Sequence, residues 1–408
     1  RGRLPISREL LAFPNSTSPR RFPTGPRSSR TKVWRVPAEV ASPSGFPDGF
    51  GRGPGEKDAL LLLRCLLGPT PRSLHALIWR TGSASLALAR IRAGDAGSEN
   101  DRAFLANTDV SQIRRSLDRV GARFAAPGDP DYCPAFLRLA DPPVGVFARG
   151  RVLGRGDHRV AVVGSRRPTA TGMEVAADLA RGLAVAGVLT VSGGAVGIDA
   201  AAHRGALDAG GVTVAVLGSG IDVAHPARNR GLFERIEASG TVISEYPPGT
   251  PAEPFRFPAR NRLIAALSRG VVVVEGAVKS GTRITAEHAV DLGLDVFAVP
   301  GPVTSPLAET PLGLIRDGAI MIRGTADLLE DLGLDGDASG DRGVPRGLSA
   351  DERRVLAALG TSMLPTAVAG VAAMPVPDAL TVLIGLELRG LVRGVGGRFE
   401  RTFRAAGS

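Results

Sequence analysis

"VAVVGSRRPTATG", residues 160–172, is an apolar run that stops at a glycine and turns at once into serine and two arginines. Five later runs repeat its first half: VLTVSG (188–193), VTVAVLG (212–218), TVISEY (241–246), VVVVEG (271–276) and DVFAVPG (295–301). All are rich in β-branched residues, apolar on both faces, and separated by amphipathic segments of helix length. Strands of that kind belong to a parallel sheet covered on both sides. The pattern predicts a doubly wound, Rossmann-like α/β domain with a parallel sheet over residues 160–322.

The flanks differ in character. Helical patterns at 56–67, 72–80, 83–92 and 109–121 predict a small helical domain of the SAM or helix-hairpin-helix kind over 56–127. Within it, GPTPRSLHALIWRTGS (68–83) has the Gly-turn-helix look of a helix-hairpin-helix unit, whose turn amides can hold a DNA backbone. An ordinary packing turn fits equally well, because Pro69 and Pro71 each remove an amide. After a Gly/Asp-rich linker at 333–347, SADERRVLAALG (349–360) opens on Ser349 with Glu352 three residues later, a capping box. Two further helical patterns, at 365–373 and 377–390, precede LVRGVGGRFERTF (391–403), two short strands about a glycine turn. Three helices and a β-wing over 348–404 read as a winged-helix domain.

The net charge of +10 points towards nucleic acid, but residues 1–55 hold +7 of it. That segment is rich in Pro, Ser, Gly and Arg, lacks apolar periodicity, and reads as a disordered basic tail. Any binding argument for the folded part therefore rests on local clusters. The two cysteines, Cys65 and Cys133, cannot build a disulfide framework, so a reducing cytoplasm is the expected setting. No apolar stretch approaches the ~18 residues of a membrane span, and no membrane association is expected. Five scattered histidines and two lone cysteines offer no metal cluster. A dinucleotide is disfavoured too. SGGAVG (192–197) carries Ser192 where G-x-G-x-x-G needs its first glycine, and VTVAVLG ends without an acid for a ribose. No Walker loop is present either, so no cofactor is expected.

Open parallel sheets bind ligands at the carboxyl ends of their strands, and four of those ends carry unusual chemistry here. The first gives Gly164, Ser165 and Arg166, with Arg167 next. The second gives VSGGAVGIDAAAH (191–203), where Gly193, Gly194 and Gly197 let amides approach an anion and a helix starts near Ile198. The fifth is followed by Lys279, Ser280 and Gly281. The fourth leads to FPARNRLIAALS (257–268), where Pro258 suits a helix start and Arg260 and Arg262 flank Asn261. Placed at a helix mouth, those guanidiniums would make a strong phosphate site, with Asn261 holding the turn. Glu245, at the end of VISE, can pair with one of the arginines. Asp199 reads as a helix-start cap and His203 as a structural hydrogen-bonding group. Arg166, Arg260, Arg262 and Lys279 together, costly to assemble without an anion, predict a polyanion pocket.

These motifs in this order, from GSRRPTATG through SGGAVGIDAAAHRGAL, ISEYPPGTPAEPFRFPARNRLIAALSRGVVVVEG and KSGTRITAEHA to LIRDGAIMI, resemble the DprA (Smf) family of DNA-processing proteins. GDPDYCPAFLRLADPPVGVFARG (128–150) is similar to the segment before the Rossmann-like domain in that family. The resemblance spans roughly residues 56–404 and implies an extended Rossmann-like, doubly wound, mostly parallel domain over 128–332. It implies a non-catalytic binder of single-stranded DNA that dimerises, protects incoming strands and helps load the recombinase RecA during natural transformation. It assigns DNA contact to Gly164, Ser165, Arg166, Gly193, Gly194, Gly197, Arg260, Asn261, Arg262, Lys279, Ser280 and Gly281. Three positions depart from the family pattern: Val212 replaces a basic residue, Arg283 an apolar one, and ETPLG (309–313) lacks the usual Gly/Asn pattern. The alternative is a phosphoribohydrolase-like enzyme acting on nucleotides. KSGTRITAEHA partly echoes that loop, although Glu287 stands five residues past Thr282 and the preceding Pro-Gly-Gly is missing.

Overall fold

Five helices come first: α1 (Pro54–Arg64), α2 (Pro71–Thr81), α3 (Ala84–Ala93), α4 (Glu99–Asn107) and α5 (Val110–Arg119). The computed structural model describes Phe46, Phe50 and residues 54–401, apart from 67, 130, 155–156, 278–279, 335–347, 360–362, 390 and 396. Local chemistry sets the helix ends. Thr70 Oγ1 accepts from the Ser73 N–H (3.1 Å), Pro71 starts α2, and Gly82 ends it at φ 80°. Helix α4 was not anticipated, because Leu105 is its one buried apolar side chain. A capping box between Ser98 and Asp101 marks its start. Most of the predicted basic tail and of the 333–347 linker lies outside the described residues. Four residues of that tail are described, however: Pro54 and Gly55 open α1, Phe50 is buried against the helices, and Phe46 stacks on it at 4.2 Å.

The chain then alternates: β1 (Arg123–Ala125), β2 (Val146–Gly150), β3 (Arg159–Val163), α6 (Ala170–Val185), β4 (Leu189–Ser192), α7 (Ile198–Asp208), β5 (Thr213–Gly220), α8 (Arg230–Ser239), β6 (Thr241–Tyr246), α9 (Arg256–Ala266), β7 (Gly270–Val273), α10 (Gly281–Asp291), β8 (Asp295–Ala298), α11 (Glu309–Arg316), β9 (Ile320–Met321) and α12 (Thr325–Asp331). The nine strands form one sheet in the order β1-β2-β6-β5-β4-β3-β7-β8-β9. Strands β3 to β9 run parallel, while β2 and β1 extend the β6 edge antiparallel. Strand alternation divides the core: Val160 and Val162 pack with α6 and α7, whereas Ala161 and Val163 pack with α9 and α10. All six predicted strands are present. The three unpredicted ones, β1, β2 and β9, are short and carry little pattern. Strand β1 lies within the span expected to be helical. Residues of α1–α5 share one apolar cluster with Phe147 of β2, Leu217 of β5 and Phe233 of α8. The helical unit is thus built onto the sheet.

The last elements are α13 (Ala350–Ala358), α14 (Pro365–Val371), α15 (Val376–Leu388), β10 (Val392–Val395) and β11 (Arg398–Arg401). The Ser349–Glu352 capping box forms as read. Val355, Leu356, Val368, Leu383, Leu386 and Phe399 make a separate small core. No single described helix is long and apolar enough to cross a membrane.

His203, on α7, is fully buried, with Nδ1 2.7 Å from Thr213 Oγ1. That hydroxyl donates to the Thr190 carbonyl (2.7 Å), so it must accept from His203, which fixes the proton on Nδ1. Burial, with Arg260 and Arg204 adding to it, pushes the imidazole pKa from 6.5 down to about 3. The unfolded chain takes up this proton below pH 6.5 and the folded chain does not, so the ring stabilises the fold above 6.5 and that stability is lost as pH falls towards 3. The contribution falls by up to ~1.4 kcal/mol per pH unit. Thermal unfolding between pH 6.5 and 5 should therefore be less pH-dependent in His203→Gln than in the parent chain. Equal slopes would contradict this assignment.

Candidate nucleic-acid interface

Strand β3 pairs with β4 on one side and β7 on the other, so the winding reverses between β3 and β7. Ligand crevices open at such a switch point. The loops there are tied together by main chain: the Ser165 N–H donates to the Glu275 carbonyl (2.8 Å), and the Ile198 N–H to the Ser165 carbonyl (3.1 Å). Gly164 packs tightly on Ile198, where a Cβ would lie 2.6 Å from Cγ1. Gly197 has φ +84°, and a side chain there would sit 2.3 Å from the Ser165 oxygen. Gly193 is closed in differently, since its Cβ would lie 2.5 Å from Arg260 Nη2. Gly194 follows, its carbonyl accepting from buried Asn229 Nδ2 (3.0 Å), which also reaches the Ala195 carbonyl (3.3 Å). The sequence reading missed Asn229. Its position in HPARNRGL, just before α8, gave no pattern by which to find it.

The arginine pair of FPARNR does not act as a unit. Helix α9 begins at Arg256, so Arg260 and Arg262 occupy its second turn and not its mouth. Residues two apart on a helix diverge by roughly 200°. Arg260 Nη1 donates to the Gly193 carbonyl (2.8 Å), and its Nε faces Asn261 Oδ1 (3.2 Å). Asn261 Nδ2 then donates to the Gly281 carbonyl at the start of α10 (3.2 Å). Arg262 points the other way. Its Nη2 meets Glu245 Oε1 at 2.9 Å and its Nε meets Asp141 Oδ2 at 3.4 Å, with Arg262 and Glu245 both buried. The expected pairing of Glu245 with an arginine is therefore made by Arg262, which leaves the predicted phosphate cluster. Burial lowers the Arg260 pKa to about 10, partly opposed by Asp199, and the group keeps its charge at neutral pH.

Carboxylates of the chain itself already fill several of its amide-rich turns. Asp199 Oδ2 accepts from the Ala195 N–H (3.3 Å) inside the glycine loop, where burial raises its pKa and Arg260 opposes that rise. Glu275 accepts from the Thr169 N–H (2.9 Å) and Thr169 Oγ1 (2.6 Å) at the start of α6. Glu56 accepts from the Ala84 and Ser85 N–H groups (2.9 and 3.1 Å) at the start of α3. With the Thr70 cap at α2, this makes the turns of the helix-hairpin-helix-like stretch packing turns. The start of α10 differs. It has no acid in its first turn and no side-chain cap, and Ser280 Oγ is buried without a hydrogen-bond partner. Lys279 lies outside the described residues.

Arg166 is exposed, with its guanidinium 5.1 Å from the centre of the Phe257 ring. Phe257 also faces the His225 ring at 5.3 Å. Phe255 is 62% exposed. Arg283, by contrast, is engaged by Glu287 (3.3 Å) and Asp317 (3.7 Å) on α10's outer side. The structure thus gathers Gly164, Ser165, Arg166, Gly193, Gly194, Gly197, Arg260, Asn261, Ser280 and Gly281 around linked loops, and sets Arg262 apart. Among the described residues no group of three or more His, Cys, Asp or Glu side chains could hold a metal ion.

Residues 123–333 match the family of DNA recombination-mediator protein A. A Mycobacterium tuberculosis relative bearing the DprA name is 38% identical, over 83% of this chain and 92% of its own length. Escherichia coli protein Smf is also 38% identical, over 67% of this chain and 76% of its own length. The X-ray structure of DNA processing protein A from Streptococcus pneumoniae superposes with a TM-score of 0.57 at 33% identity, covering 68% of this chain and 97% of that one. The fold, the loop chemistry and these likenesses agree, and the chain belongs to the DprA/Smf family of DNA-processing proteins.

Proposed function

We propose that this chain binds single-stranded DNA at the carboxyl edge of β3, β4 and β7, without catalysing a reaction on it. The observation that carries this reading is the unfilled start of α10. The helices after β3 and β4 hold resident carboxylates, whereas here no acid lies in the first turn and buried Ser280 Oγ has no hydrogen-bond partner, beside Asn261, which reaches the Gly281 carbonyl. A helix start with nearby guanidiniums suits a phosphodiester. Arg166 supplies an exposed cation for a neighbouring phosphate, and the Lys279 assignment belongs to the same proposal. Arg260 holds the glycine loop and adds its field from beneath. Phe255 offers an exposed ring to a base, which favours unpaired strands. The two residues the catalytic alternative would draw on as a base are engaged: His203 is a buried neutral donor, and Glu287 pairs with Arg283. Family membership supports the further reading that the chain works as a homodimer in the cytoplasm, protects incoming strands and loads RecA. On that reading residues 348–401 are a winged-helix domain that contacts protein.

Fluorescence anisotropy with a labelled oligothymidylate across a salt series separates these roles. Arg166→Ala should weaken binding about tenfold and reduce the log–log salt slope by roughly 0.7; unchanged affinity and slope would refute the site. Phe255→Ala should cost ~1–3 kcal/mol of affinity while leaving the salt slope intact. Arg262→Ala should behave as a stability mutant, losing ~3–5 kcal/mol in chemical denaturation because Glu245 is left buried and unpaired. A chain with Arg262→Ala that unfolds normally but has lost a phosphate contact would contradict the split drawn here between Arg260 and Arg262.

A further inference from the structure

Charge is spread unevenly over the helical unit. Between Asp58 and Asp95 lie 36 residues without a single acid, and they include Arg64, Arg72, Arg80, Arg90 and Arg92. Arg64 is buried, with Nε on the Glu245 carbonyl, whereas the other four are exposed. None of those four meets a carboxylate among the described residues. The nearest acids in sequence are used elsewhere: Glu56 at the start of α3, and Asp58 on Arg114 (2.6 Å). Unmatched cations clustered in this way create a local field that favours an external anion.

Helix α2 orders part of that charge. Leu74 and Ile78 form its buried side. On the opposite side Arg72, Ala76 and Arg80 follow at i, i+4 and i+8, and Trp79 stands in line with Arg72, two turns or about 10.5 Å along the axis. Trp79 is 49% exposed, so half of a large flat ring is left out of the chain's own core. Arg80 Nε donates to the Ala76 carbonyl (3.3 Å), which lays the guanidinium back along the helix and keeps its Nη groups for another acceptor. Ala76 is too small to obstruct the space between the two arginines. On the flank of this face Phe46 packs edge-on against His75 (5.2 Å), so the chain enters the described fold beside it. The 45 residues before Phe46 carry nine Lys or Arg against Glu9 and Glu39.

We propose that the outer face of α2 is a second contact for single-stranded DNA, with an unstacked base on Trp79 and backbone phosphates on Arg72 and Arg80. The combination selects the ligand class. Phosphates match the arginines and a base matches the ring, whereas an acidic polypeptide would use the arginines alone and a duplex presents no free base face. Side chains of the helix make this contact, not the turn amides, which Thr70 and Glu56 already occupy. Two phosphates and one base give weak binding in isolation. A strand long enough to reach the sheet edge as well gains from the higher effective concentration. The α2 contact does not depend on the sheet-edge site.

Tryptophan fluorescence of the full chain tests it. Trp34 and Trp79 are the two tryptophans of the sequence, so Trp34→Phe leaves Trp79 as the sole reporter. Titration with a long oligothymidylate should quench its emission, and a chain that also carries Arg166→Ala should quench as fully at saturation. Arg72→Ala and Arg80→Ala together should raise the midpoint about tenfold and lower the log–log salt slope by roughly 1.4. Both sites are on the surface, and circular dichroism checks that the variant is folded. Duplex DNA and polyglutamate should leave the emission unchanged. Unquenched Trp79 in a chain whose anisotropy still reports oligothymidylate binding overturns the proposal and leaves the sheet-edge reading intact. Quenching that ignores the two arginine substitutions, or that duplex or polyglutamate produces as strongly as oligothymidylate, overturns it too.

Discussion

A parallel sheet concentrates positive potential. Each helix that follows a strand points its unpaired N–H groups at the same edge, and those groups require an anion or water. In this chain much of that demand is met internally. Glu275 closes the start of α6 and Asp199 lies inside the glycine loop, while Glu56 does the same service at α3 in the helical unit. Among the helices that follow β3, β4 and β7, the start that no resident carboxylate fills is that of α10; α8 and α9, after β5 and β6, also carry no acid in their first turn. On the proposed reading, affinity for a polyanion depends less on the number of basic residues than on which turns the chain's own carboxylates leave unfilled.

The arginines follow the same division. Burying a guanidinium is tolerable only when its charge and donors are matched. Arg262 achieves this with Glu245 and Asp141, and its environment keeps it fully charged as part of the framework. Arg64, from α1, reaches the same place and donates from Nε to the Glu245 carbonyl, so the helical unit and the sheet share one polar anchor. Arg260 is matched only by a carbonyl, an amide oxygen and the nearby Asp199, which leaves its field directed at the cleft. On the proposed reading one tripeptide serves both stability and binding, with Asn261 bonded to the Gly281 carbonyl.

Much of this was legible in the residues alone. Apolar runs such as VAVVG and VVVVEG are dictated by burial on both faces, and the strands lie where they were read. The same holds for the glycine loops, where backbone geometry admits no other residue. The unforeseen parts share a cause. Strands β1, β2 and β9 are short and take their stability from neighbours distant in sequence, and α4 rests on one cap and one leucine. The direction of Arg262 depends on where α9 begins, two residues before Pro258, and on Asp141 and Glu245 being brought to it by the fold. The role of Asn229 is likewise tertiary, since its partners lie some thirty-five residues away. Periodicity carries no information on such pairings.

The most direct measurement is a crystal structure of this chain with a short oligothymidylate. The account predicts a phosphate within hydrogen-bonding distance of Ser280 Oγ and the first amides of α10, with Arg166 on the next phosphate and the Arg262–Glu245 pair unbroken. A strand that instead displaces Glu275 from Thr169 or Asp199 from the glycine loop, leaving the start of α10 bare, would contradict it.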